Sequence, residues 1–253
     1  MPPPFSCEID TTGTRWATTL EHQVQLVRSD YQHFYSTKRI HHLGIGLLLA
    51  GVAANSEFDE NLTDVILDAM GTNLTEDLAE LRCLGDGDYV IPILASAALV
   101  SPLIDELPGG QRIGEWGQRG ARILLVGGPV SLFLQRLTGA SRPGENDYGS
   151  DWRPFQDNNG LSGHGFVGAV PFLAAAEMTD NRLYKSAFYL GSTLPALSRI
   201  ADRGHYASQA FLGWYVAFLA SKAVSETQWS QRGLEVHPFA NESGSGLMVG
   251  RRF

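Results

Sequence analysis

Apolar positions recur at helical spacing along most of the chain. Between residues 15 and 36, Trp16, Leu20, Val24, Val27, Tyr31 and Phe34 fall near one face with polar residues between them, which predicts an amphipathic helix. Residues 40–55 are apolar and dense in small side chains, the pattern of a buried helix. After a polar break at 55–59, residues 61–70 and 75–84 read as two short amphipathic helices, the second with Thr75 as N-cap. Gly85-Asp86-Gly87-Asp88 reads as a turn. Residues 89–104 form another long apolar segment, closed by Pro108-Gly109-Gly110, and 113–137 predict a helix kinked at Pro129.

Residues 139–161 lose the helical period. They are rich in Gly, Pro, Asn, Asp and Ser and carry Trp152 and Phe155, which either line a site or anchor the loop. Three further helices are expected at 164–178, 183–200 and 205–225. Residues 234–239 and 246–253 flank a turn and predict a two-stranded ribbon. With no repeat and no linker, the expectation is one all-α domain over residues 1–253. Its parts are N-terminal helices at 14–104, a core at 113–225 and a small β tail at 234–253.

Composition narrows the function. A formal net charge of -8 argues against nucleic acid as a partner and against an anionic membrane surface. Cys7 and Cys83 are the only cysteines, too few for a zinc cluster; a disulfide between them is left open. Four histidines at 22, 33, 41 and 42 lack the spacing that would complete a metal site, so no metal is expected. Residues 1–5 have neither a basic start nor an apolar core and do not read as a secretory signal. The apolar runs at 41–55, 89–104, 123–134 and 205–221 fall short of the roughly 20 residues a spanning helix prefers. The balance favours a helical core over a polytopic membrane protein, although Pro92, Pro129, Pro171 and Pro195 are compatible with either.

Three clusters carry candidate chemistry, each where a helix begins or ends beside a break. They are Gln135–Pro143, Leu161-Ser162-Gly163-His164 and Ser198-Arg199 with His205 and Gln209. Helix N-termini present unpaired N–H groups and suit anions. Ser162 is placed as an N-cap, and Gly163 permits close backbone approach. Arg142 and Arg199 can clamp an oxyanion, while His164 and His205 can divide acid and nucleophile roles. One turn from His205, Gln209 can hold one ring nitrogen and leave the other free. Asp202 and Arg203 read as a local solvated pair.

In this order and spacing, Arg142-Pro143, Ser162-Gly163-His164 and Ser198-Arg199…His205 resemble the motifs of the type-2 phosphatidic acid phosphatase and vanadium haloperoxidase superfamily. That family carries Lys-x6-Arg-Pro, Pro-Ser-Gly-His and Ser-Arg-x5-His-x3-Asp. The resemblance covers residues 135–209 and implies a helical bundle of the acid phosphatase and haloperoxidase type. It implies that His205 attacks phosphorus and that His164 protonates the leaving oxygen. Arg142, Arg199, Ser162 and the Gly163 N–H would hold the phosphoryl oxygens. Gln135 replaces the lysine, Gln209 replaces the aspartate and Leu161 replaces the proline.

The implied function is a metal-independent phosphomonoesterase acting on lipid phosphate or small phosphate esters, with no cofactor. The alternatives are a weakened or inactive member that binds an oxyanion or lipid head group, and a haloperoxidase in which vanadate occupies the pocket. By the same resemblance the cell envelope or periplasm is the expected location, with membrane association compatible and oligomeric state open.

Overall fold

A computed structural model of the chain describes residues 11–145, 148–231, 234–241 and 244–251. Nine α-helices lie among the described residues: α1 (Thr11–Phe34), α2 (Thr37–Ala54), α3 (Glu57–Glu80), α4 (Gly87–Ile104), α5 (Gly110–Thr138), α6 (Gly163–Ala176), α7 (Arg182–Gly191), α8 (Leu194–Ala201) and α9 (Ala207–Gln231). A 3-10 turn, Leu81–Gly85, joins α3 to α4. The chain is mostly helical and all-α in class. The backbone at Leu234–Asn241 (β1) and Gly244–Arg251 (β2) pairs antiparallel, Leu234 opposite Arg251.

Helix α9 is the centre, packed by α1, α2, α3, α5, α6 and α8. Leu212, Val216, Leu219 and Val224 on α9 are buried against Ile123 and Val126 of α5 and Phe166, Val170 and Leu173 of α6. Burying side chains of this size contributes roughly 1.5–3 kcal/mol each. Arg122 of α5 and Asp30 of α1, both buried, are joined by two bonds of 2.6 Å.

Helix α2 corrects the expectation of a fully buried segment. Its small residues, Gly46, Ala50 and Ala54, face inward, while Ile45, Leu48, Leu49 and Val52 are exposed. The inward side has no room for more, since a Cβ at Gly46 would sit 2.3 Å from the Tyr215 ring. Helix α4 is similar, with Ile91, Ile93, Leu99 and Leu103 exposed. Among the described residues, Gly87–Ile104 is long and apolar enough to cross a membrane by length and composition.

Other expectations shift at the joints. The two short helices expected at 61–84 are parts of α3, broken at Gly71 (φ 67°, ψ 170°), so Thr75 lies within a helix and is not its N-cap. Asp86 caps α4 by accepting the Asp88 N–H at 2.9 Å, which is turn chemistry as expected. Helix α5 runs through Pro129 to a left-handed Gly139. The single helix expected at 183–200 is two, because Pro195 starts α8 and the Ser192-Thr193 step ends α7. The described residues of 139–161 carry no helix. There Trp152 packs against Gly51 of α2 and anchors the loop, whereas Phe155 is exposed. Cys83 is exposed, and the question of its pairing with Cys7 falls outside the described residues.

Candidate active site

The loop between α8 and α9 sets the geometry. His205 was expected to open the last helix; instead it lies two residues before α9, which starts at Ala207. Tyr206 is the N-cap residue, its carbonyl accepting from the Ala210 N–H at 3.0 Å. Gln209 is then the third residue of the first turn. Its Oε1 accepts the Tyr206 N–H at 3.2 Å, the returning half of a capping box. Its Nε2 donates to the Ser141 carbonyl at 2.7 Å.

These two bonds orient the amide, because a carbonyl only accepts and an N–H only donates. Oε1 therefore faces His205 Nδ1, 2.9 Å away, and Nδ1 must carry the proton it donates. The Nε2 of His205 is left with its lone pair. Gln209 is buried and also ties the first and second clusters to the third, since its own carbonyl accepts the Ser162 N–H at 2.9 Å.

Other residues hold the start of α9 from α3. The Thr63 hydroxyl accepts the Ala207 N–H at 3.0 Å, and Asp59 accepts the Ser208 N–H at 2.8 Å and its hydroxyl at 2.6 Å. Burial raises the Asp59 carboxyl above its ordinary pKa, against the Ser208 bonds that lower it. Sequence reading missed both residues. They lie more than 140 positions from their partners, and nothing local marks them.

Ser162 is the N-cap of α6, accepting the Gly165 N–H at 3.1 Å, so its own proton is available to an oxyanion. Gly163, the first residue of α6, carries one of the orphan N–H groups of a helix start. Gln135 reaches the same spot: its Nε2 donates to the Leu161 carbonyl at 3.2 Å and lies 3.1 Å from where a Gly163 Cβ would be. Arg136 is exposed and lines a separate surface pocket with Phe155 and Asp157. Arg142 is held by its Nε on buried Asn159 at 2.8 Å, and Asn159 is itself fixed by Asp157 at 2.8 Å.

Arg199 pairs with Asp202, and its buried Nε has no hydrogen-bond partner among the described residues. The expected Asp202–Arg203 pair is therefore replaced: Arg203 faces Asp64 at 3.7 Å. Asp202 also accepts the Gly204 N–H at 2.9 Å. A Cβ at Gly204 would fall 2.0 Å from a terminal nitrogen of Arg199. Gly204→Ala should therefore push this guanidinium aside while leaving the backbone intact. The expected result is an unchanged unfolding midpoint with kcat/KM for a phosphate ester reduced about tenfold or more; a variant as active as the wild type would remove Arg199 from the site.

Gln209, bonded to His205, to the Ser141 carbonyl and to the Ser162 N–H, brings the three clusters together, and the charges of Arg199, Arg142 and His164 act on His205. Burial, reinforced by these charges and opposed by the Gln209 bond, depresses the pKa of His205 to about 3. His164 is also held below its ordinary value, by burial first and then Arg199 and Arg142, with Asp86 and Asp202 opposing. The site is thus a buried neutral imidazole whose Nε2 keeps its lone pair, a second imidazole that protonates more readily, two guanidiniums and a helix start. That set can bind a tetrahedral oxyanion, attack it and protonate a departing oxygen.

A cavity of about 420 Å³ shares α8 and the start of α9 with this site. Leu49, Leu62, Ile66, Leu197, Phe211 and Trp214 are among its lining residues, an almost wholly apolar set. No family model matches the chain, and no curated protein or solved structure matches it.

Proposed function

We propose that the chain is a phosphomonoesterase of the type-2 phosphatidic acid phosphatase kind, with the helical bundle that this implies, acting through a phosphohistidine on His205. The observation that carries the reading is Gln209 Oε1 lying 2.9 Å from His205 Nδ1, which assigns the proton to Nδ1, with the charges of Arg142, Arg199 and His164 acting on the ring. The Nε2 lone pair attacks phosphorus and the bond to the ester oxygen breaks, its electron pair leaving with that oxygen. His164 gives the oxygen its proton. Neutral His164 then takes a proton from water as the water oxygen attacks phosphorus, and the P–N bond breaks back to Nε2. Arg142, Arg199, Ser162 and the Gly163 N–H hold the three remaining oxygens, which is where phosphoryl transfer needs stabilisation.

The neighbouring apolar cavity and the exposed apolar faces of α2 and α4 favour a lipid phosphate at a membrane surface over a small soluble ester. Gln135 and Gln209 favour a second reading, in which the site binds a phosphate head group but turns over slowly or not at all. The two are separated with a chromogenic phosphate monoester and a short-chain phosphatidate, followed by exchange of oxygen between labelled water and inorganic phosphate. Turnover with exchange supports the covalent route. Phosphate binding without turnover supports the second reading, and absence of both overturns the phosphate site altogether.

A further inference from the structure

The site as read has one cation fewer than its chemistry calls for, because Gln135 is neutral where the resemblance places a lysine. Turn Leu81–Gly85 packs against both α6 and α8, the helices that carry His164 and Arg199. The approach is close: a Cβ at Gly85 would lie 2.6 Å from the His164 carbonyl and 2.9 Å from its Cβ. Three residues earlier on the same turn stands Arg82, exposed, with no ion pair or hydrogen bond among the described residues. By contrast Arg39, Arg119, Arg122, Arg199 and Arg203 each face a carboxylate. The charge of Arg82 is felt at Arg199 together with that of Arg142. Arg82 and Arg142 thus both lie within electrostatic reach of Arg199, which is paired to Asp202 and acts with Arg142 on His164 and His205.

We propose that Arg82 is a third guanidinium of the phosphate site and supplies the positive charge that Gln135 does not. It approaches from the solvent side, where Gln135 lies on the inner side against Leu161 and Gly163. An exposed arginine fork can reach an oxygen of a bound phosphate without first breaking an ion pair. This rests on the phosphate reading of the site, and the experiment separates the two. Inorganic phosphate binding is measured by calorimetry, and steady-state hydrolysis of p-nitrophenyl phosphate is followed, for wild type, Arg82→Ala, Arg82→Lys and Arg82→Ala/Gln135→Lys.

The expected result is phosphate affinity weakened about tenfold in Arg82→Ala and nearly kept in Arg82→Lys, with unchanged unfolding midpoints. The double variant should recover to within about threefold of wild type, since a lysine on the inner side replaces the missing charge. A merely structural role for Arg82 would not be rescued by Gln135→Lys, so loss without rescue overturns the compensation. Wild-type affinity in Arg82→Ala overturns the assignment of Arg82 while leaving the phosphate site standing. A wild-type protein that neither binds phosphate nor hydrolyses the ester overturns the site itself and this inference with it.

Discussion

His205→Ala is expected to lower kcat for a phosphate monoester by about four powers of ten or more, to the level of uncatalysed hydrolysis plus binding. The size follows from the role. Without Nε2 no P–N bond forms, and Arg142, Arg199 and Ser162 then stabilise charge in a reaction that has lost its nucleophile. The fold should survive, because the backbone of this joint is held independently: the His205 N–H donates to the Arg199 carbonyl at 2.9 Å, and Asp59 and Thr63 hold the next turn. Circular dichroism and an unfolding midpoint near wild type therefore accompany the loss. Gln209 keeps its bonds to Tyr206 and Ser141 in the variant. A His205→Ala protein with wild-type turnover would refute the mechanism regardless of every distance above.

Acidification should raise activity, through His164, and lower stability, chiefly through His205. Attack requires neutral His205, which its pKa of about 3 provides across the working range. Protonation of the leaving oxygen requires charged His164, whose pKa lies below its ordinary 6.5. A plot of kcat/KM should therefore be highest on the acid side and fall as pH rises through the His164 pKa, tenfold per unit. His164→Ala should lower the rate and lose this contribution to the alkaline limb.

For stability the sign is opposite. Unfolded His205 takes up a proton below about 6.5, while the folded protein refuses it down to about 3. The unfolded state thus binds more protons over this window, and stability drops as pH falls through it by up to about 1.4 kcal/mol per unit. The contribution approaches 5 kcal/mol in order of magnitude at the lower end and flattens beyond it. His164 adds in the same direction. Urea unfolding of wild type and His205→Ala from pH 7 to pH 4 measures it; equal slopes for the two proteins would remove the buried imidazole as the cause.

What the sequence made legible was what local chemistry encodes. The apolar period marked nearly every helix, and the Ser162 cap, the Gly85–Asp88 turn and the spacing from His205 to Gln209 are all settled within four residues. Where a signal depends on a distant surface, it was silent or misleading. The apolar 40–55 run looked buried because hydrophobicity does not say which side is crowded; Tyr215 decides that small residues face inward and large ones outward. The 183–200 segment kept an apolar period across Ser192 and Thr193, although Pro195 has no N–H to extend a helix from α7. Arg82, Asp59 and Thr63 belong to the N-terminal half, where no motif pointed. Asp202 seemed to belong to its neighbour Arg203, but the turn carries it to Arg199.

The amide at position 209 has a consequence for the two half-reactions. A carboxylate there would draw the Nδ1 proton toward itself, making the imidazole more basic, a stronger attacker and a poorer leaving group. The Gln209 amide, turned by its bond to the Ser141 carbonyl, offers that proton only a neutral, weakly basic oxygen, which accepts the hydrogen bond without drawing the proton away. The ring is left electron-poor: slow to form the P–N bond and quick to release it. On the proposed phosphohistidine route, phosphoryl uptake from substrate would then be the slow half of the cycle, and the phosphorylated enzyme would not accumulate.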